Sequence, residues 1–307
     1  MAIDPLPPST LVIGSRNRPR LLQECVQSIL RGDEVPAELV IVDQSDRCGP
    51  SLEATDARCR VRHVFGRSVG VACAKNEGLA AASHDLIAFT DDDMIAPASW
   101  YGTLIRALVA AGPRAVVTGR VLSTAPERVG GFAPAVVVRD TPAVYEGRIG
   151  TDVLAGGNMA MSSSTAAMVG GFDERLGPGA RFPAAEDNDF GYRLLEAGYR
   201  IVYAPDALLY HRAWRPGWDY WAVRWRYGRG KGGFYSKHLS LQDRYVLRRM
   251  LRDILSRLVR FPWFVVRHPF RAGGDPFYVC GILFGIVDWY LGPYGRSAPQ
   301  TLTRRSA

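Results

Sequence analysis

The chain has 307 residues, of which 47% are hydrophobic and 22% are charged, and this composition excludes an intrinsically disordered protein. It predicts one large globular domain, or one domain with an appendage. The net charge of +8 is unevenly distributed, because the segment from residue 207 onward holds 18 Lys and Arg against 5 Asp and Glu. We therefore expect a mildly acidic body and a basic, aromatic-rich tail suited to an anionic surface.

The N-terminus and the cysteines predict a cytoplasmic protein. The first eight residues show neither a basic start nor an apolar stretch of signal-peptide length. The five cysteines are odd in number and form no Cys-x-x-Cys pair, which argues against a disulfide framework and a zinc knuckle. We expect them to be reduced and mostly buried: Cys25, Cys48, Cys59, Cys73 and Cys280.

Strands and helices alternate through the first third of the chain. Apolar runs predict strands at 10–14, 38–43 and 85–90, a short piece at 62–65, and helices that begin at 19 and run over about 71–82. The alternation predicts an α/β fold with a doubly wound, mostly parallel sheet. Ligands of such sheets bind beyond the carboxyl ends of the strands. Three polar clusters follow those ends and should converge on one crevice: residues 15–18, Asp43 and residues 91–93.

Three consecutive carboxylates, Asp91, Asp92 and Asp93, follow the strand at 85–90. Adjacent negative charges repel one another, so this position is costly unless a cation or a cation-bound ligand lies there. A solvated acidic turn is the alternative. The loop after the first strand has neither a Gly-x-Gly-x-x-Gly turn nor a Walker-type run. A phosphorylated ligand would therefore be held by a metal ion and by Arg or Lys side chains.

Further motifs follow in a recognisable order, and with them the chain resembles family 2 glycosyltransferases, the bacterial, inverting, nucleotide-sugar-dependent type with the GT-A fold. The resemblance covers roughly residues 10–215, about two thirds of the chain. Each motif alone is weak, but their ordered occurrence is specific. The matching segments are 15–19, 42–45, 70–78, 89–93, 156–160, 170–173 and 186–193, followed by Gly198.

The resemblance implies a set of residues that bind the nucleotide sugar. Asp43 would accept a hydrogen bond from the base, which favours UDP or dTDP over GDP; a turn or capping aspartate is the alternative. Lys75 stands where the family often has Arg near the diphosphate, with a solvated lysine as the alternative. The full set is Ser15, Arg16, Asn17, Arg18, Asp43, Lys75, Asn76, Asp91, Asp92, Gly157 and Asn158.

The resemblance also implies a metal site and a catalytic base. Asp91, Asp93 and His211 would hold Mg²⁺ or Mn²⁺ as the cofactor that neutralises the donor diphosphate, although a lone His is often structural. The base would come from Glu186 and Asp187, with Asp187 favoured. These two carboxylates could equally be first-turn residues stabilised by the helix dipole.

The implied activity is transfer of a sugar from a nucleotide-diphosphate sugar to an acceptor hydroxyl with inversion. The Gln-x-x-Arg-Trp motif of processive synthases lacks its Gln here, because residues 221–225 read Trp-Ala-Val-Arg-Trp, so non-processive transfer is expected. A sugar nucleotidyltransferase is disfavoured, since the start lacks a Gly-rich, basic signature. A catalytically silent nucleotide- or membrane-surface-binding protein on the same scaffold is the remaining alternative.

We place the GT-A domain at 1–213 and a basic, aromatic-rich, mainly helical C-terminal extension at 214–307. The apolar segment 277–291 has about 15 residues and contains Asp288, against the roughly 20 that a spanning helix needs. It predicts an interfacial helix or a lid over the active site. A peripheral role at the inner face of the cell membrane, with a lipid-linked acceptor, is weighed against a packing or homodimer-forming tail. No nucleic acid partner is expected, because no recognisable nucleic-acid module is present.

Overall fold

The computed structural model describes residues 5–46, 56–127, 129–212, 214–267 and 269–292. Strands in these ranges are β1 Ser9–Ser15, β2 Glu38–Asp43, β3 Arg60–Phe65, β4 Leu86–Asp91, β5 Met94–Ile95, β6 Ala115–Ser123, β7 Ala143–Tyr145, β8 Asn158–Ser162 and β9 Arg200–His211. Helices are α1 Pro19–Leu30, α2 Val71–Ala81, α3 Trp100–Ala111, α4 Ser163–Val169, α5 Glu186–Glu196, α6 Tyr220–His238, α7 Tyr245–Arg267, α8 Pro269–Ala272 and α9 Gly274–Leu291.

All of these strands belong to one sheet. Its order is β3-β2-β1-β4-β8-β6-β9-β5, and β7 pairs with β9. The first four strands are parallel, whereas β8 runs antiparallel to both β4 and β6. The predicted α/β sheet is confirmed, and its parallel character is strongest in the half that carries the polar clusters. There Ser15 pairs with Asp43, and Gly14 pairs with Asp91.

The first strand and helix form where the sequence predicts them. Alternate residues of β1 enter two cores on opposite faces of the sheet, Leu11 and Ile13 on one face and Val12 on the other. This explains the continuous apolar run, because a parallel strand is buried on both faces. Helix α1 begins at Pro19, whose fixed φ angle suits a first helical position.

The prediction of buried, reduced cysteines holds for three of the five. Cys25, Cys59 and Cys73 are buried free thiols, and burial raises the pKa of Cys73 to about 11. Cys280 is the exposed exception, on the outer side of α9. Cys48 falls outside the described residues.

The C-terminal helices pack on the sheet domain and on one another. Asp189 of α5 is fully buried and pairs with Lys237 and His238 of α6, each at 2.7 Å. Helices α6 and α9 approach through glycines: a Cβ added at Gly228 or Gly232 would collide with the backbone of α9. No helix in the described ranges is long and apolar enough to cross a membrane.

Candidate active site

A cavity of about 710 Å³ lies beyond the carboxyl ends of β1 and β4, and its walls come from two parts of the chain. The sheet domain supplies one wall, and the C-terminal helices supply the other. The position is the one that the parallel strands predict. Predicted residues that line it are Ser15, Arg16, Arg18, Lys75, Asp91, Asp92, Asp93, Gly157, Glu186, Asp187 and His211. The segment after β9 adds Arg215, and the helices add Arg224, Tyr227, Lys231, Arg257 and Tyr278.

Within the acidic triplet, Asp92 binds other protein groups. Its carboxylate accepts hydrogen bonds from Ser15 Oγ at 2.7 Å and from Arg18 Nη1 at 3.2 Å. Burial and the neighbouring charge of Asp93 raise the pKa of Asp92 to about 6. Asp92 therefore positions the loop after β1.

Asp93 forms an ion pair with His211 at the end of β9. His211 Nε2 lies 3.2 Å from Asp93 Oδ1, and Arg18 Nη1 donates to Asp93 Oδ2 at 3.1 Å. Burial raises the pKa of Asp93, but the hydrogen bond and charge of His211, with the charge of Arg18, outweigh it, so the pKa is lowered. Burial lowers the pKa of His211, yet Asp93 raises it overall. The structure thus joins two predicted metal ligands that are far apart in sequence.

Lys75 is 4% exposed and lies between two acidic groups. Its Nζ is 3.6 Å from Glu186 Oε1, and its charge lowers the pKa of both Asp91 and Asp187 against the larger effect of burial. A Cβ added at Gly156 would lie 2.6 Å from Lys75 Nζ, and one at Gly157 would collide with Asp91 Oδ2. The glycine pair therefore lets backbone approach these side chains closely.

Asp187 lies in the first turn of α5, and its pKa is raised toward neutral pH. Burial, and then the charge of Glu186, raise its pKa to about 7, against the opposing effect of Lys75. A base with a pKa near the working pH is the most effective. The preceding Ala185 has a φ angle of 76°. Left-handed backbone is strained for a residue with a Cβ, and such strain clusters at functional sites.

Four predicted donor-binding residues are absent from the cavity lining found within the described residues. Asn17 donates to Asp46 at 2.8 Å, and Asp43 accepts from the Ser45 amide at 2.9 Å, the turn geometry named above as its alternative. Asn76 bonds to both backbone groups of Phe172. Asn158 is 0% exposed, accepts from Trp100 Nε1, and donates to two carbonyls. The side chains of Asn76 and Asn158 are therefore engaged in the interior, away from the cavity.

Sequence reasoning missed the residues of the helical wall. Lys231 and Arg249 both pair with Asp152, at 2.8 and 2.6 Å, in the loop before β8. Tyr227 lines the same wall, and burial and then the charge of Asp187 raise its pKa. One signal was available, because Lys231 lies in the run Gly-Arg-Gly-Lys-Gly-Gly. So many glycines in a helix indicate close packing, where a lysine needs an acidic partner.

Comparison with known proteins agrees with this arrangement. The sequence model described as "Glycosyltransferase like family 2" matches residues 7–231. The chain belongs to this family. The predicted resemblance is thereby confirmed, and the match extends past residue 213 into helix α6, so the family region includes part of the helical wall.

Two curated relatives are each named pre-mycofactocin glycosyltransferase, from Mycobacterium tuberculosis strains CDC 1551 / Oshkosh and ATCC 25618 / H37Rv. Each is 32% identical over 225 residues, which is 67% of this chain and 44% of the relative. The matched region thus spans less than half the length of these relatives.

Two solved structures share the fold. Mannosyltransferase PcManGT from Pyrobaculum calidifontis, in complex with GDP-Man and Mn²⁺, superimposes with a TM-score of 0.59 at 16% identity, covering 92% of this chain and 88% of that one. GalNAc-T7 with UDP, GalNAc and Mn²⁺ gives a TM-score of 0.55 at 15% identity, covering 93% and 58%. The predicted GT-A fold is confirmed.

Proposed function

We propose that this chain transfers a sugar from a nucleotide-diphosphate sugar to an acceptor hydroxyl, with inversion at the anomeric carbon. One observation carries the proposal: Asp187 and the Asp91–Asp93 triplet line the same cavity, with Lys75 between the two acidic groups. A displacement with inversion needs a base on the acceptor side and positive charge on the diphosphate side. Both requirements have residues in this cavity.

A divalent ion fits the diphosphate side. No three His, Cys, Asp or Glu residues form a closed metal cluster in the described ranges. A protein need not supply such a cluster, because Mg²⁺ is commonly held by one or two carboxylates together with substrate phosphates. Asp93 and His211 would hold the ion with Asp91 nearby, and His211 Nδ1 is buried with no hydrogen-bond partner found in the described part of the chain. When bound, the ion would neutralise the leaving diphosphate.

The side chains that line the cavity have different roles in the proposed reaction. Arg18 and Lys75 supply positive charge beside the diphosphate, with Arg16 at the cavity edge. Asp187 removes the proton from the acceptor hydroxyl, and that oxygen attacks the anomeric carbon as the bond to the diphosphate breaks. Tyr227 and Lys231 face the acceptor from the helical wall. The reaction forms no covalent enzyme intermediate.

Four finer expectations belong to the proposal. The donor carries UDP or dTDP rather than GDP, which requires the Asp43 carboxylate to turn from the Ser45 amide toward the base. Transfer is non-processive, since residues 221–225 lack the Gln of the synthase motif. The acceptor is lipid-linked. The protein works in the cytoplasm, at the inner face of the membrane.

A thermal-shift titration with UDP, dTDP and GDP, each with and without Mn²⁺, tests the donor side, because a ligand that binds only folded protein raises its melting temperature. We expect a Mn²⁺-dependent rise with UDP or dTDP, absent in Asp93→Asn. Hydrolysis of the matching nucleotide sugar is then measured. A nucleotide-dependent shift without hydrolysis or transfer would favour the silent binding protein, and a folded chain with no shift would contradict the donor site.

A further inference from the structure

Helix α7 turns two arginines inward. Arg249 is buried and pairs with Asp152 at 2.6 Å, while Arg257 pairs with Asp253 and Asp275, each at 3.0 Å. Arg257 also lines the cavity. Apolar residues of α7 share this inward side, as in the usual surface helix.

The opposite side of α7 exposes large apolar side chains. Val259 is 78% exposed and Val266 is 83% exposed. Isolated exposed apolar residues are ordinary, but a row of them along one helix indicates an interaction surface. The exposed residues of this row are Leu251, Leu255, Leu258, Val259, Trp263, Val265 and Val266.

Helix α9 carries a second row, which contains no charged residue. Its members recur every three or four positions and follow one side of the helix, while Asp275, Tyr278 and Ile282 face inward. The exposed members are Phe277, Cys280, Leu283, Phe284, Val287, Tyr290 and Leu291. The contact between the two helices joins their inward sides, as in the Arg257–Asp275 pair, so we call the exposed row of α7 alone the apolar face.

Arginines accompany the apolar face. Arg248, Arg252, Arg260 and Arg267 are exposed on α7. Residues 214–292 hold 14 Lys and Arg against 5 Asp and Glu. All five acids form ion pairs with arginines, and the remaining Lys and Arg give this segment its net positive charge. The pairs are Asp219 with Arg226, Asp243 with Arg148, Asp253 with Arg257, Asp275 with Arg260, and Asp288 with Arg229.

We propose that the apolar face docks on the surface of an anionic phospholipid bilayer. Apolar side chains enter the boundary between headgroups and acyl chains, and the arginines meet lipid phosphates. A second copy of the chain fits less well, because a two-fold contact places the same patch on both subunits and would set arginine against arginine. Docking holds the cavity one helix thickness from the lipid, about 10 Å, because Arg257 lines it and Leu258 faces outward.

Vesicle flotation of the full chain tests the proposal without any nucleotide sugar, so its result is independent of the proposed transferase activity. The vesicles are phosphatidylcholine alone, or phosphatidylcholine mixed with phosphatidylglycerol, at constant salt. The test variant combines Leu251→Glu, Leu255→Glu, Val259→Glu and Val266→Glu, all on the exposed row of α7. The matched control carries the same added charge at exposed sites of the sheet domain: Val109→Glu, Val138→Glu, Val144→Glu and Met168→Glu.

We expect the native chain to bind the anionic vesicles at least about tenfold more than the neutral ones, and the test variant to lose about tenfold or more. The control should retain binding. The proposal is overturned if the folded native chain floats with neither vesicle, if both variants lose binding equally, or if ultracentrifugation reveals a native dimer that the test variant dissociates.

A second measurement keeps the proposal testable if the test variant does not fold. Vesicles with brominated acyl chains quench tryptophans at the lipid boundary. The native chain should lose fluorescence on binding, and Trp263→Phe should lose measurably less. Equal quenching in the two proteins would contradict insertion of the apolar face.

Discussion

The two walls of the cavity differ in how the chain builds them. The sheet wall consists of strand ends and one helix start, where neighbours in sequence, such as Asp91, Asp92 and Asp93, are also neighbours in space. The helical wall comes from α6, α7 and α9, and its charges are balanced by distant residues, as in the Lys231–Asp152 pair. The sheet wall can therefore be recognised from short motifs, whereas the helical wall depends on tertiary packing.

The comparison assigns the walls different tasks. Under the proposed function, donor and metal binding would belong to the sheet wall and contact with the acceptor to the helical wall, with Asp187 at the boundary between them. If this division is correct, substitutions in the two walls change different kinetic parameters.

The largest effect is expected at the boundary. Asp187→Asn should lower kcat/KM for transfer by about 10³-fold, because a general base contributes roughly that factor. Nucleotide binding in the thermal-shift titration should be unchanged. Glu186→Gln is the matched control, and if it abolished transfer while Asp187→Asn did not, Glu186 would be the base.

A smaller loss is expected from the sheet wall. Asp93→Asn should lower kcat/KM by about 10²-fold, since it removes a charged group beside the diphosphate. It should also weaken the Mn²⁺-dependent part of nucleotide binding, which separates it from Asp187→Asn. Full Mn²⁺-dependent binding in the folded variant would exclude Asp93 as a metal ligand.

The pH dependence of kcat/KM tests the assignment of Asp187 as the base. The pKa of Asp187 is about 7, so the base is protonated and inactive below that pH. The value of kcat/KM should rise about tenfold per pH unit up to about 7 and then level off. In Asp187→Asn the residual rate should not follow this curve. A native profile that is flat from pH 5 to 8 would contradict the assignment.

The helical wall should give a still smaller and different effect. Lys231→Met removes one partner of a buried ion pair, so we expect the KM for the acceptor to rise roughly tenfold. Donor affinity should stay the same, which steady-state kinetics with each substrate varied in turn can establish. An increase confined to the donor KM would place Lys231 in the donor site and would contradict the assignment of the helical wall to the acceptor.

The smallest effect on transfer is expected at Asn158. Asn158→Ala leaves the buried partners Trp100, Arg120 and Ala207 without hydrogen bonds, so the free energy of unfolding should fall by about 2–3 kcal/mol. Denaturant unfolding measures the loss. At a temperature where the variant is folded, donor KM should be unchanged, and a large rise would instead return Asn158 to the donor site.

Much of the fold and of the sheet wall could be predicted from the sequence. Apolar runs bounded by turn residues locate β1, β2 and β4, and the parallel order then brings Ser15, Arg18 and Asp91–Asp93 to one edge of the sheet. Pairing of His211 with Asp93 needed the motif order as well, because no local pattern relates them.

The rest depends on side-chain direction and on distant packing. Asn76 and Asn158 lie beside cavity-lining residues along the chain, yet their amides turn into the core, and a motif does not specify that rotation. Asp152 lies in a loop with no recognisable pattern and gains its partners only when α6 and α7 fold over it. The amphipathic pattern of α7 was visible, but which side faces outward was not.

The glycine contact between α6 and α9 has a mechanical consequence. Backbone meets backbone at Gly228 and Gly232, so no layer of side chains can rearrange between the two helices. One side of this rigid pair carries Tyr227 and Lys231, and the other carries Leu283 and Val287. We therefore expect the two helices to move as one body, together with the residues that they bring to the cavity. Hydrogen exchange should detect the two helices opening as one unit.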